Sequence, residues 1–173
     1  MEIENQIDTL SMMNSDPDLN SEQFLSFFLA GEEYGVDILR VQEIKCWESA
    51  TEIPNSPEYI KGVINLRGII VPIVDLRQRF DLEAVEYNET TVVIVLNVKN
   101  GDKERTVGFV VDAVSEVYSI ESDLLQAPPE MGNSIDLNFV KGLTSVNDNM
   151  VVLLDVDKLM VMEDSNEIES LEA

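Results

Sequence analysis

The stretch Tyr59-Ile60-Lys61-Gly62-Val63-Ile64-Asn65-Leu66-Arg67-Gly68-Ile69-Ile70-Val71-Pro72-Ile73-Val74-Asp75-Leu76 decides how the chain is read. Residues 62–66 and 69–74 are short apolar runs rich in β-branched side chains, and they flank an Arg-Gly pair. That pattern predicts two strands around a turn. Pro72 has no N–H to give, so it belongs on an edge, at a bulge or where no ladder donor is needed. Residues 75–80 follow as a short helix. Arg67 is the one charge between two apolar runs. It is either an ordinary turn residue or the polar group of a binding site.

Outward from this stretch the chain continues mostly as short strands. Residues 23–30 (QFLSFFLA) and 34–38 make a hairpin about a turn at Gly31-Glu32-Glu33. Apolar residues at 38, 41 and 44 suit one helical turn, and Ser56-Pro57-Glu58 resembles a capped helix start. Strands are expected over 91–98, 105–111, 139–146 and 150–155. A turn-rich segment covers 127–136, and a short helix lies near 157–162.

An internal repeat organises these elements. Residues 34–44 (YGVDILRVQEI) align with 107–117 (VGFVVDAVSEV) at an offset of 73. Tyr59-Ile60-Lys61-Gly62-Val63 and Ile73-Val74-Asp75-Leu76 align with Phe139-Val140-Lys141-Gly142-Leu143 and Leu153-Leu154-Asp155-Val156 at an offset of 80. Two blocks in one order, sharing Gly, Lys, Glu and Asp, indicate two copies of an all-β unit, about 24–90 and 91–162. An exchange of termini between the copies is compatible with this division. Each copy is too small to bury much surface alone, so two small barrels packed as one body are expected. A cleft between them is the natural binding place on this reading. The repeat also isolates Arg67. Where the first copy has Asn65-Leu66-Arg67-Gly68, the second has Ser145-Val146-Asn147-Asp148, which is ordinary turn chemistry. The turn itself therefore does not call for arginine.

Composition excludes several functions. The 173 residues carry a formal net charge of −23. Residues 1–22 and 163–173 hold eleven acids and no lysine or arginine, and read as flexible acidic tails around a domain at 23–162. Such acidity repels nucleic acid and anionic membranes. There is no histidine and a single cysteine, Cys46, which removes Ser-His-Asp and Cys-His catalysis, a thiolate metal site and an internal disulfide. The eight glycines are too scattered for a phosphate loop. The N-terminus has no signal-peptide pattern and no apolar run reaches membrane-span length, so a cytoplasmic setting is expected. Carboxylates are abundant, which leaves a carboxylate-pair hydrolase as the catalytic alternative, though no spacing favours it.

Four motifs lie in order over most of 24–162: GEEYGVDILRVQEI (31–44), YIKGVINLRGIIVPIVDLR (59–77), YNETTVVIVLNV (87–98) and VGFVVDAVSEV (107–117). In them the chain resembles the CheW-type chemotaxis coupling proteins. It departs from their pattern in the tails and at 126–138. The resemblance implies two five-stranded SH3-like β-barrels with short helices and a C-terminal helix, no catalytic activity and no cofactor. It implies an adaptor, monomeric when free, that joins the cytoplasmic tips of methyl-accepting chemoreceptors to the histidine kinase CheA. The kinase's regulatory domain shares the double-barrel fold, and the two alternate in rings beneath membrane-associated receptor arrays. The receptor-contact residues carried over are Val41, Glu43, Gly62, Arg67, Val92 and Val117. The kinase-contact residues are the apolar ridge Ile38, Val41 and Ile44. Cys46 and Trp47 are expected to pack. Arg67 either bonds the receptor or braces the groove. A CheV-like adaptor or a free-standing kinase regulatory domain is the alternative within this group. A CheV-like protein would carry a receiver domain, for which the residues after 162 leave no room.

Overall fold

The computed structural model describes residues 21–121, 124–127 and 137–159. Ten strands dominate: β1 (Ser21–Leu29), β2 (Glu32–Asp37), β3 (Val41–Cys46), β4 (Ile60–Leu66), β5 (Ile69–Asp75), β6 (Val92–Asn100), β7 (Lys103–Val111), β8 (Ala113–Glu121), β9 (Val140–Val146) and β10 (Asn149–Leu154). Single helical turns α1 (Leu76–Arg79) and α2 (Val156–Leu159) follow β5 and β10, and short 3-10 turns cover Ile38–Arg40 and Leu137–Phe139. The strands form two five-stranded sheets, ordered β8-β1-β2-β10-β9 and β3-β6-β7-β5-β4. The fold is all-β and is that of two SH3-like barrels.

The repeat appears as a reciprocal exchange. β5 pairs in parallel with β7, with Ile73 opposite Gly108, and β10 pairs in parallel with β2, with Leu153 opposite Gly35. These are the same two positions in each copy, offset by 80 and 73. Each copy thus lends strands to the barrel of the other. The sheets do not coincide with the sequence division at 90/91: one takes β3–β7, the other takes β1 and β2 together with β8–β10. The paired glycines explain why this exchange packs. A Cβ on Gly35 would lie 2.5 Å from Phe24 Cδ2 and 2.7 Å from Leu153 Cδ2, and one on Gly108 would lie 2.7 Å from Ile73 Cδ1. The missing side chain is the space that the facing strand fills.

The two barrels share one core. Leu25, Phe27, Leu29, Tyr34 and Val36 of one sheet pack with Val74, Ile94, Leu96, Val107 and Phe109 of the other, joined by Phe80 and Phe139 from the connections. Phe80 and Phe139 stack at 5.7 Å, and the Arg79 guanidinium lies 5.0 Å from the Tyr59 ring centre and 4.8 Å from that of Phe139. The space between the barrels is therefore filled with side chains, and the cleft expected there is replaced by core. Smaller clusters fill each barrel, Val71, Ile73, Val93, Val95 and Val110 in one and Phe24, Ile120, Val151 and Leu153 in the other.

Two half-buried ion pairs bridge the copies, and Arg77 of one pair and Asp157 of the other occupy equivalent positions of the repeat. Arg77 of the first copy forms a fork with Asp112 at 2.8 and 2.6 Å. Its counterpart in the second copy, Asp157, is bound by Nη1 and Nη2 of Arg40 at 2.8 and 2.7 Å, and Asp112 aligns with Leu39, the neighbour of Arg40. Both helical turns follow an aspartate whose N–H binds the start of the preceding hairpin in its own copy: Asp75 to Tyr59 O at 2.7 Å and Asp155 to Phe139 O at 2.8 Å.

Several local expectations change. The 38/41/44 spacing belongs to a 3-10 turn followed by strand β3, because Asp37 caps the turn through Leu39 N–H and Val41 is already extended. Ser56 starts no helix; its hydroxyl binds Ile53 O, and Ile60 N–H binds Pro57 O as the chain enters β4. Pro72 lies in an interior strand, but the pairing of β5 with β7 begins only at Ile73. β8, the counterpart of β3, is an additional strand. Ser21 and Glu22 belong to β1, paired with Glu121 and Ile120 rather than to a tail. Residues 1–20, 128–136 and 160–173, with most of the expected tails, the turn-rich segment and the end of the last helix, lie outside the described residues.

Candidate functional site

The β4–β5 hairpin closes with Leu66 opposite Ile69, leaving Arg67-Gly68 as a two-residue turn. Both residues have positive φ, 53° and 88°, the signature of a type I′ turn, whose twist matches that of the strands. Asn65 Oδ1 accepts the Gly68 N–H at 2.8 Å and fixes the turn from within. The β9–β10 hairpin repeats the geometry with Asn147 and Asp148 at 52° and 68°. Asparagine and aspartate tolerate this left-handed conformation; arginine has no local hydrogen bond to offset its cost. The Arg67 side chain is 77% exposed, and Ile69 and Ile70 beside it are 57% and 50% exposed. A hairpin tip that exposes a guanidinium and, next to it in the chain, two open isoleucines is not built for the stability of the free chain.

β3 borders this tip. Among the described strands it is an edge strand paired with β6, and the pairing is interrupted by a bulge between Val41 and Glu43. Glu43 Oε2 lies 3.4 Å from Arg67 Nη2. The same oxygen is buried and accepts no hydrogen bond. The pair is thus within Coulombic reach but not hydrogen-bonded, and with one member so exposed it contributes little to folding. It leaves a guanidinium and a carboxylate oxygen with unused hydrogen-bonding capacity.

The other expected site residues are distributed more widely. Val41 and Val92 are half-buried against the main core, as is Ile38. The apolar ridge Ile38, Val41, Ile44 is therefore split: two members face inward and Ile44, 44% exposed, faces solvent. Gly62 is buried at φ 139°, and a Cβ there would lie 2.2 Å from Thr51 O, so its role is to admit the backbone that bridges to β4. Val117 is 46% exposed on β8, the edge of the other sheet. Trp47 packs edge-on against Tyr87 at 4.7 Å, as expected of a packing residue, whereas Cys46 is exposed. Together with Ile64, Asn65 and Val93 they line a depression between β3 and β4. Tyr87 holds this region through its O–H to Asp75 Oδ2 at 2.5 Å; burial first, then that hydrogen bond and the carboxylate charge, keep the phenol protonated.

Sequence reasoning missed several open apolar side chains. Leu39 is 87% exposed in the 3-10 turn, and Ile69 and Ile70, which open the apolar run 69–74, are 57% and 50% exposed. Ile69 and Ile70 adjoin a two-residue turn, where the hairpin runs past the pairing of β5 with β7, and that adjacency is the available signal.

Among the described residues no group of three His, Cys, Asp or Glu could hold a metal ion, and no helix is long and apolar enough to cross a membrane. Apolar side chains with a few unsatisfied polar groups on an edge strand and hairpin tip form a surface for docking another protein. The fold and this surface define a protein-binding module.

Comparison with known proteins specifies the module. Residues 23–164 match the CheW-like domain. The chain is 46% identical over 143 residues to a chemotaxis protein CheW of Klebsiella aerogenes, covering 83% of this chain and 84% of that protein. It is 34% identical to a chemotaxis protein CheW of Rhizobium meliloti, covering 82% and 89%. Its fold matches the crystal structure of the scaffolding protein TtCheW from Thermoanaerobacter tengcongensis with a TM-score of 0.74 at 34% identity, over 82% of this chain and 89% of that one. The chain belongs to the CheW-like family.

Proposed function

We propose that this protein is a non-catalytic adaptor of chemotaxis signalling that couples methyl-accepting chemoreceptors to the histidine kinase CheA. The observation that carries the reading is Arg67, held in a left-handed turn that its counterpart fills with asparagine, beside the unsatisfied Glu43 carboxylate. Arg67 and Glu43 together offer donors and an acceptor to a helical receptor tip, and Arg67 acts there by direct contact. Val41 and Val92 brace β3 and β6 from the core side, Gly62 sets the path of β4, and Val117 adds an apolar contact on β8. For the kinase regulatory domain, Ile44 is the solvent-facing anchor, with Ile38 and Val41 supporting it from within. The family's membership in chemotaxis systems supports both partners, and the adaptor works in the cytoplasm at receptor arrays, as a monomer before assembly.

The test is co-sedimentation of the protein with receptor cytoplasmic fragments and, separately, with the kinase regulatory domain. Binding to both is expected, and Arg67→Asn should reduce only the first. Absence of binding to either partner contradicts the proposal.

A further inference from the structure

Glu33 lies on β2, the interior strand between β1 and β10, and is only 8% exposed. Its Oε1 is buried and accepts no hydrogen bond. An uncompensated buried carboxylate is costly, so its presence asks for a missing donor. Around it lies an open depression lined by Phe28, Glu32, Asn149, Met150 and Val152. Phe28 stands opposite Glu33 in the β1–β2 pairing and is 38% exposed; Met150 is 57% exposed on β10, beside Val151, which pairs with Glu33 from the other side.

Among the described residues no lysine or arginine meets this oxygen. All eleven lysines and arginines fall within the described residues, and none donates to Glu33 Oε1. The segments outside them contain neither residue type, so none of them can bring a basic side chain. The depression is lined by two acids and no base, on a chain of net charge −23. Its apolar walls suit a long aliphatic stem, and its acids suit a cationic head.

We infer that this depression is a socket for a basic side chain, an arginine or a lysine, presented by a protein partner. The stem lies against Phe28, Met150 and Val152, and the head donates to Glu33 with Glu32 at the rim. The socket lies on the sheet that does not carry Arg67, and it stands or falls independently of the receptor contact proposed above.

The probe is N-acetyl-arginine amide, titrated into the full chain by NMR, with N-acetyl-citrulline amide as the neutral analogue of the same shape. Saturable shifts at Phe28, Glu33 and the Met150 methyl are expected with arginine, and binding at least ~10-fold weaker with citrulline, the worth of one hydrogen bond to a charged group. Glu33→Gln should reduce arginine binding to the citrulline level, and Met150→Asn should weaken both probes. Glu89→Gln, an exposed acid on the loop before β6, should leave the affinity unchanged. Equal response to the two probes, unaltered binding by Glu33→Gln, or non-saturating shifts spread over the acidic surface would each overturn the inference.

Discussion

Arg67 and Asn147 hold the same left-handed backbone conformation, φ 53° and 52°, at the tips of equivalent hairpins. Between them they separate what the turn needs from what the first hairpin adds. The turn needs a residue at ease with positive φ, and asparagine meets that need. Arginine meets it at a cost, and its exposed side chain recovers little through Glu43 at 3.4 Å. Replacing Arg67 with asparagine should therefore leave the protein as stable or more stable by up to about 1 kcal/mol. Thermal melting checks this; a fall in the midpoint of several degrees would assign Arg67 to folding.

The Glu43–Arg67 pair makes a related prediction about coupling between sites. In a double-mutant cycle with Glu43→Gln and Arg67→Asn, the coupling energy for folding should be below about 0.5 kcal/mol, as for exposed pairs. The same cycle measured on receptor binding should be strongly non-additive, because both groups would serve one contact. Urea denaturation gives the first quantity and receptor co-sedimentation the second.

Gly62 should behave in the opposite way. With φ at 139° and Thr51 O 2.2 Å from an added Cβ, Gly62→Ala must displace the backbone bridge between Thr51 and Val63. A loss of more than about 2 kcal/mol is expected. Any accompanying loss of signalling would then follow from the fold. A variant that melts normally would instead return Gly62 to the contact surface.

The two ion pairs that bridge the copies contribute to stability in a pH-dependent way. Burial tends to raise the Asp112 and Asp157 carboxyls, but hydrogen bonds from Arg77 and Ala30 N–H, and from Arg40 and Lys99 N–H, hold both below the usual carboxylate range. A folded value below the unfolded one contributes stability that is complete above the unfolded pKa and is lost as pH falls through the folded one. Through these two groups, denaturation midpoints should therefore not vary with pH around neutrality and should decline below about pH 4. Asp112→Asn should lower stability at pH 7 by about 2 kcal/mol and flatten the acid decline, since the group that titrates is gone.

Much of this architecture was legible because it is written twice. Gly35 and Gly108, Asp75 and Asp155, and Gly62 and Gly142 recur at fixed offsets, which identified two units and singled out Arg67 by its absence from the second. What the offsets do not carry is which copy each strand joins. Ile73 opposite Gly108 and Leu153 opposite Gly35 are long-range pairings, and the same residues would satisfy strands kept within one copy. Core replaces the expected inter-barrel cleft for the same reason: an exchanged pair of barrels shares its aromatic side chains, and Phe80 and Phe139 occupy the space between. The site was only partly legible. Glu43 and Arg67 meet, yet inward and outward valines and isoleucines look alike in short strands, so Ile38 and Val41 could not be told from Ile44. The Glu33 socket had no sequence signal, since in an acidic chain one more glutamate is unremarkable until its burial is known.

The central claim is tested most directly by receptor-dependent autophosphorylation of CheA, reconstituted with this protein or its Arg67→Asn variant. With the native chain, kinase activity should depend on the receptor and its signalling state. With Arg67→Asn, at unchanged melting temperature, that dependence should be largely lost while binding to the kinase regulatory domain persists. Receptor control of the kinase that is equal for both proteins would contradict the account.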